Sequence, residues 1–257
     1  MKGVILAGGY GTRLSPLTNV INKHLLPIYN KPMIFYPIEK LVQAGIDQIM
    51  LVIGGNNSGS FLELLGNGKD FGLKEICYSY QRKAGGIAEA LNLAKNFVGN
   101  DKVCVILGDN VFQDDIKDFV DKFKKQKLGA KILLKKVHDP ERFGVAFFDD
   151  KGRVIDIVEK PRNSDSNYAV TGIYMYNSDV FDIILTLKKS DRGELEITDI
   201  NKNYLQRGIL TSDIINGWWT DAGTIESLSK ANELVKKEIK KNNKYFLKSR
   251  IFVEMCE

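Results

Sequence analysis

An apolar run at the amino end, Gly3–Ala7, breaks into three glycines within four positions, Gly8, Gly9 and Gly11. A short continuous apolar run bounded by such a turn reads as a buried strand. The glycines let the following backbone approach a ligand with no Cβ in the way, and successive N–H groups in such a turn form an anion-binding concavity. Thr12 and Arg13 follow at once, and Lys23 comes ten residues after Arg13. A guanidinium offers a planar fork suited to phosphate oxygens, and an ammonium adds a mobile point charge. Leu6, Gly8, Gly9, Gly11, Thr12, Arg13 and Lys23 are therefore candidates for a polyphosphate cradle at the carboxyl end of a strand. Two familiar patterns are excluded. A G-x-G-x-x-G fingerprint fails because Leu14 stands at its third glycine, and no Gly-Lys-Ser/Thr exists for a P-loop. A plain strand-to-helix turn is the bland alternative, and the spaced Arg13 and Lys23 weigh against it.

The rest of the chain sets that turn in an α/β frame. Strands are expected at Lys2–Ala7, Gln48–Ile53, Glu75–Tyr80 and Val103–Leu107. Helices are expected between them at Lys31–Ala44, Gly59–Leu65 and Gly86–Phe97. This alternation predicts a parallel, doubly wound sheet, whose ligands gather at the carboxyl ends of strands. After a helix at Asp115–Lys125 the chain turns strand-rich, at Ala130–Val137, Val145–Phe148, Val154–Glu159 and Tyr168–Tyr176. Helices at Val180–Leu187 and Ile197–Gln206, a strand at Leu210–Ile215 and a long amphipathic helix at Ile225–Lys240 complete it. The expectation is one continuous mixed sheet with a strand-rich insertion.

Charge and cysteine content narrow the setting. The net charge is +5, but from Lys230 onward eight Lys/Arg against four Glu leave +4, so the rest carries only about +1. Such a tail reads first as the solvated face of a terminal helix; nucleic-acid or membrane binding is not expected of it. No apolar run is long enough to cross a bilayer, and the chain passes from Met1 straight into a strand, with no signal peptide expected. Cys77, Cys104 and Cys256 share no metal or redox spacing, and Cys77 and Cys104, inside apolar runs, are expected as buried thiols in a reducing cytoplasm.

A cradle that holds an anionic leaving group suggests a nucleoside triphosphate cleaved with release of pyrophosphate. A second phosphate would be the nucleophile. With a pKa near 6 it is mostly dianionic at pH 7 and needs no general base. The work is then to align two anions and neutralise the charge between them, which calls for cations and a divalent metal. His24 and His138, the only histidines, have no triad context. Magnesium takes one or two carboxylates plus substrate phosphates; Asp109, after the strand Val103–Leu107, and Asp221, in Trp218–Thr224, qualify, although an aspartate there is often only a turn former or cap. Gln81 pairs a donor with an acceptor, which suits the edge of uracil or thymine, and Gly86 would admit a base closely. In Glu159-Lys160-Pro161 the lysine could hold a sugar phosphate and the glutamate could accept from sugar hydroxyls; an exposed ion pair is the plainer reading. Trp218 and Trp219 are expected in the core.

These residues carry a resemblance. LAGGYGTRLSPLT (residues 6–18) and KHLLPIYNKPMIFYPIEKLVQAGI (residues 23–46) are similar to the sugar-1-phosphate nucleotidylyltransferases, closest to those that thymidylylate glucose 1-phosphate. The likeness recurs at LGDN (107–110), DPERFGV (139–145), VEKP (158–161), NYAVTGIY (167–174), RGELEITDIN (192–201) and WTDAGT (219–224), over roughly residues 1 to 230. It implies a Rossmann-like three-layer fold with a mixed, mostly parallel sheet. Residues 1–127 would form the nucleotide half, 128–223 the sugar-phosphate half, and 224–257 a helix and basic tail. It implies Mg²⁺-dependent transfer of a nucleotidyl group from dTTP to α-D-glucose 1-phosphate. Arg13, Lys23, Asp109, Lys160 and Asp221 would carry catalysis, with the metal on Asp109 and Asp221 and the base at Gln81 and Gly86. The sugar phosphate would lie at Leu107, Gly144, Glu159, Lys160, Val170 and Gly172, with Arg192-Gly193-Glu194 as lid or support. A homo-oligomer, dimer or tetramer, goes with it. One departure stands out: Arg82-Lys83-Ala84-Gly85 replaces the family's Pro-Ser-Pro-Asp, which leaves UTP as the near alternative to dTTP, since a 5-methyl contact discriminates weakly. Long-form members continue into further C-terminal helices that build a regulatory site, so weak product feedback is expected. A non-catalytic sugar-nucleotide sensor would lose its charged site residues; all five are present.

Overall fold

The computed structural model describes residues 1–254, with side chains described through Lys241. Four parallel strands form the centre: β1 (Lys2–Ala7), β4 (Gln48–Gly54), β5 (Glu75–Gln81) and β6 (Val103–Leu107), in the order β6-β1-β4-β5. A two-residue hairpin, β2 (Pro27–Ile28) with β3 (Lys31–Pro32), precedes α1 (Phe35–Gln43). The helix expected from Lys31 thus begins at Phe35: a residue before proline is pushed towards extended backbone, and Lys31 pairs with Ile28 instead. Helix α2 (Gly59–Leu65) joins β4 to β5, and two helices, α3 (Ile87–Asn92) and α4 (Lys95–Val98), join β5 to β6. A single helix over Gly86–Phe97 was expected; it tightens at Leu93 and Ala94, whose N–H groups donate to the carbonyls of Ala90 and Leu91, three residues back.

The second half extends the same sheet. After β7 (Asn110–Phe112) and α5 (Lys117–Lys125) come β8 (Ala130–Lys136), β9 (Gly144–Phe148), β10 (Val154–Glu159) and β11 (Tyr168–Tyr176). Helices α6 (Val180–Thr186) and α7 (Ile197–Gln206), strands β12 (Leu210–Ile214) and β13 (Trp219–Asp221), and α8 (Ile225–Glu254) complete the chain. Strand β11 is antiparallel to its neighbours and changes partner along its length. Tyr168 and Ala169 pair with β9, whereas Ile173–Tyr176 pair with β6. The switch at Val170–Gly172 opens the sheet beside the carboxyl end of β6.

Alternate residues of β1 face two cores. Ile5 and Ala7 pack with Ile38 and Leu41 of α1; Val4 and Leu6 pack with Ala88 and Leu91 of α3 and with α6 and α7. The sheet is therefore the middle of three layers, as expected. A third cluster packs Ala231 and Val235 of α8 on Leu14, Ile28 and Met33. Cys104 is fully buried, but Cys77 is only half-buried, because β5 is the edge strand. Cys256 lies outside the described residues, as does the end of the basic tail; of its side chains only those through Lys241 are described. Among the described residues, no helix is long and apolar enough to cross a membrane.

Candidate active site

The parallel strands β1, β4, β5 and β6 deliver Gly8, Gly54, Gln81 and Gly108-Asp109 to one edge of the sheet. The glycine turn is wrapped tightly there. A Cβ on Gly8 would stand 2.7 Å from Gln81 Oε1, and one on Gly11 would meet Thr18 Cγ2 at 2.8 Å. Thr18 Oγ1 donates to the Gly11 carbonyl at 2.9 Å, and Asn22 Nδ2 ties the following segment to the Gly54 carbonyl at 2.8 Å. Leu14, fully buried in the third cluster, anchors the short helical turn Thr12–Leu14 that carries Arg13.

Two cavities meet beside this turn. One of about 310 Å³ is lined by Leu6, Gly8, Gly9, Lys23, His24, Gln81 and Gly86. A larger one of about 480 Å³ is lined by Gly144, Glu159, Val170, Gly172, Thr198 and Asp221. Arg13, Leu107, Asp109, Lys160 and Arg192 belong to both walls. The expected nucleotide and sugar-phosphate residues are thus brought together, with two exceptions. Gly11 and Thr12 shape the turn without lining either cavity. Gly86 does line the smaller one, but a Cβ on it would run into the backbone of Leu195, so its bare α-carbon serves the packing of the 192–195 segment. Gln81 is the last residue of β5, paired with Gly54, not part of the loop that follows.

Asp109 and Asp221 are 112 positions apart and reach each other through a short ladder. Asn110 of β7 pairs with Asp221 of β13, and the Ala222 N–H donates to the Asp109 carbonyl at 2.8 Å. A methyl group built on Gly223 would stand 3.1 Å from Asp221 Oδ2, 3.3 Å from Arg13 Nη2 and 3.6 Å from Asp109 Oδ2, so all three groups converge on one point. The two carboxyl groups are shifted in opposite directions. Burial alone would raise the Asp109 carboxyl, but the Lys23 ammonium at 2.7 Å, with the Asn110 amide, holds it well below the usual carboxylate range. Asp221 is raised, by burial and by the charge of Asp109, against Arg142, which grips both its oxygens at 2.9 and 3.1 Å. Two converging carboxylates are a donor set for a hard divalent cation whose remaining ligands are phosphates and water.

The larger cavity is built by side-chain contacts. Thr198 Oγ1 donates to Glu159 Oε2 at 2.6 Å, and Arg192 Nη2 donates to Glu196 at 2.7 Å and lies 3.5 Å from Glu159. Lys160 turns its backbone into the left-handed region, φ 44°, which carries its side chain to the partition between the cavities. Asn110 Oδ1 accepts from the Gly172 N–H at 3.0 Å and from Trp219 Nε1 at 2.7 Å. Trp219 is buried as expected and also lines this cavity; Trp218 is half-buried against the third cluster. Asn110, Arg142, Glu196, Thr198 and His24 were not foreseen. Arg142 and Asn110 lie within the motif stretches 139–145 and 107–110, so position in the chain held a signal for them. Glu196 and Thr198 lie within the motif stretch 192–201, but the contact of Thr198 with Glu159 had no local signal, because it forms only where α7 packs on β10.

A family model described as nucleotidyl transferase matches residues 2–238. The chain belongs to that family. A glucose-1-phosphate thymidylyltransferase of Neisseria meningitidis is 45% identical over 91% of this chain and 82% of the relative. A Mycobacterium tuberculosis protein of that name is 41% identical, over 92% and 82%. Among solved structures, a Bacillus anthracis protein assigned as a glucose-1-phosphate thymidylyltransferase, crystallised with sucrose, is 56% identical with a TM-score of 0.87, over 91% of this chain and 94% of that one. A UDP-glucose pyrophosphorylase bound to UDP-glucose is 26% identical with a TM-score of 0.78, over 92% and 98%. The resemblance drawn from the motifs and the expected fold are both borne out.

Proposed function

We propose that this chain transfers the thymidylyl group of dTTP to α-D-glucose 1-phosphate, forming dTDP-glucose and releasing pyrophosphate. The observation that carries the reading is the pair of cavities meeting at Asp109, Arg13 and Lys160, where a triphosphate and a sugar phosphate would come face to face. On this reading residues 1–127 bind the nucleotide and 128–223 the sugar phosphate. The glycine turn and Arg13 hold the triphosphate, with Lys23 keeping Asp109 ionised beside it. Gln81 meets the base. Lys160, joined by Arg192, aligns the dianionic phosphate of the sugar for in-line attack on the α-phosphorus, and Glu159, held by Thr198, accepts from sugar hydroxyls. Position and charge neutralisation carry most of the rate, since the nucleophile arrives already ionised. Asp109 and Asp221 are the residues that would hold Mg²⁺, which supplies neutralisation of charge on the transferring phosphate. For Asp221 to serve, Arg142 has to yield part of its bidentate grip. A homo-oligomer in the cytoplasm, free of nucleic acid and membrane, completes the reading, and sedimentation of the purified chain tests the assembly.

The test is pyrophosphate release with glucose 1-phosphate and Mg²⁺ across dTTP, UTP, dCTP, ATP and GTP. Release with dTTP well above the rest is expected. UTP equal to dTTP would move the base assignment to dual use, and release with none of them would overturn the reaction.

A further inference from the structure

Gln81 lies nearly buried over the glycine turn, and its amide has a fixed sense. Its Nε2 donates to the Gly86 carbonyl at 3.2 Å and to Glu89 Oε1 at 3.3 Å. A peptide carbonyl and a carboxylate only accept, so turning the amide round would set oxygen against two oxygens. Oε1 is thereby committed to the opposite side. It sits above the bare α-carbon of Gly8, on the wall of the smaller cavity, with no donor among the described residues. The contact depends on a neighbouring glycine. A Cβ on Gly85 would overlap the carboxyl group of Glu89, so that carboxylate reaches Gln81 only because residue 85 has no side chain. Gly85, in the segment that departs from the family pattern, therefore has a use: it makes room for Glu89.

We propose that Glu89 is a specificity-determining positioning residue. By holding the Gln81 amide with its oxygen towards the cavity, Glu89 selects a pyrimidine whose N3 carries a hydrogen over cytosine, whose N3 is an acceptor. The inference rests on the reading of Gln81 as the base contact. A base of the wrong sense meets acceptor with acceptor in a site largely removed from water, and such mismatches discriminate strongly.

The test compares kcat/KM for dTTP and dCTP in the wild type, Glu89→Leu and Glu89→Gln, at saturating glucose 1-phosphate. Both variants keep bulk against Gly85, but only leucine removes the acceptor. Glu89→Leu is expected to narrow the dTTP-over-dCTP ratio about tenfold, with KM for glucose 1-phosphate unchanged. Glu89→Gln, whose amide oxygen can still accept, is expected to stay within about threefold of the wild type. Gly85→Ala, which displaces the carboxylate by overlap, narrows the ratio by a second route should the leucine variant not fold. An unchanged ratio in Glu89→Leu or in Gly85→Ala overturns the proposal. Equal narrowing in the leucine and glutamine variants also overturns it, since bulk would then be what matters. A wild type with no preference for dTTP over dCTP overturns the reading of Gln81 itself, whatever the variants do.

Discussion

The two cavities that share Asp109 and Lys160 are made by different means. The smaller is gathered largely around one stretch of chain: the glycine turn leaving β1 and Arg13 and Lys23 on the short helical turns after it, with Gln81 at the end of β5. The larger is made of side chains from elements far apart in the chain, Glu159 on β10, Thr198 on α7, Asn110 on β7 and Asp221 on β13. A wall built around one continuous stretch depends mainly on correct turn chemistry. A side-chain wall can be shaped to one sugar, but each contact depends on the packing of two elements. The same split appears in the two aspartates. Asp109 is held ionised by Lys23, one neighbour on the cradle side, whereas Asp221 stays raised despite the Arg142 clamp.

The harshest test of that division is the residue on its border. Asp109→Asn keeps the shape and its Asn110 neighbour but removes the negative charge proposed to hold the metal between the two substrates, and turnover is expected to fall about a thousandfold in a pyrophosphate-release assay. A rate near the wild type would take Asp109 out of the metal site. A smaller effect separates the cavities by acid stability. His24 is buried neutral, its pKa lowered to about 3 by burial and then by Lys23. The unfolded chain takes up a proton near pH 6.5 that the folded chain refuses until about pH 3, so stability falls as pH drops through that window. At pH 4.5 the loss is roughly 3 kcal/mol. Asp109, lowered, adds a loss of the same sign below its ordinary pKa; Asp221, raised, offsets it by gaining a proton earlier in the folded state. Urea midpoints of His24→Gln should show a flatter slope between pH 6.5 and 4.5 than the wild type, and an equal slope would mean His24 is not the group responsible. The mildest test lies on the sugar side. Thr198→Val removes the hydroxyl on Glu159 at nearly constant volume and should raise KM for glucose 1-phosphate by roughly fivefold to tenfold, leaving KM for dTTP alone. A matching rise for dTTP would break the separation of the two cavities.

The cradle was legible because its parts are local. Gly8, Gly9, Gly11 and Arg13 sit within six positions, so the turn and the guanidinium beside it are read from one short window. The parallel half of the sheet was legible for the same reason, since period and punctuation are properties of short windows. What the sequence missed required distance: the β7–β13 ladder, two three-residue strands too short to show a period, and the grip of Arg142 on Asp221. Gly86 shows how an expected residue can have an unforeseen use, since its missing side chain makes room for Leu195 as well as lining the cavity.

By itself, then, the amino-acid order determined the layered α/β frame, the glycine turn at the end of β1 and the charged residues gathered beside it. Backbone conformation at glycine and hydrophobic period act over a few residues, and both are written in the chain. Only the tertiary structure decided that Asp109 and Asp221 share one point, that Thr198 holds Glu159, and that Glu89 fixes the sense of Gln81. Those relations depend on the register of paired strands and on which helix packs against which face. Burial energy summed over the whole core sets them, and no local stretch encodes that sum.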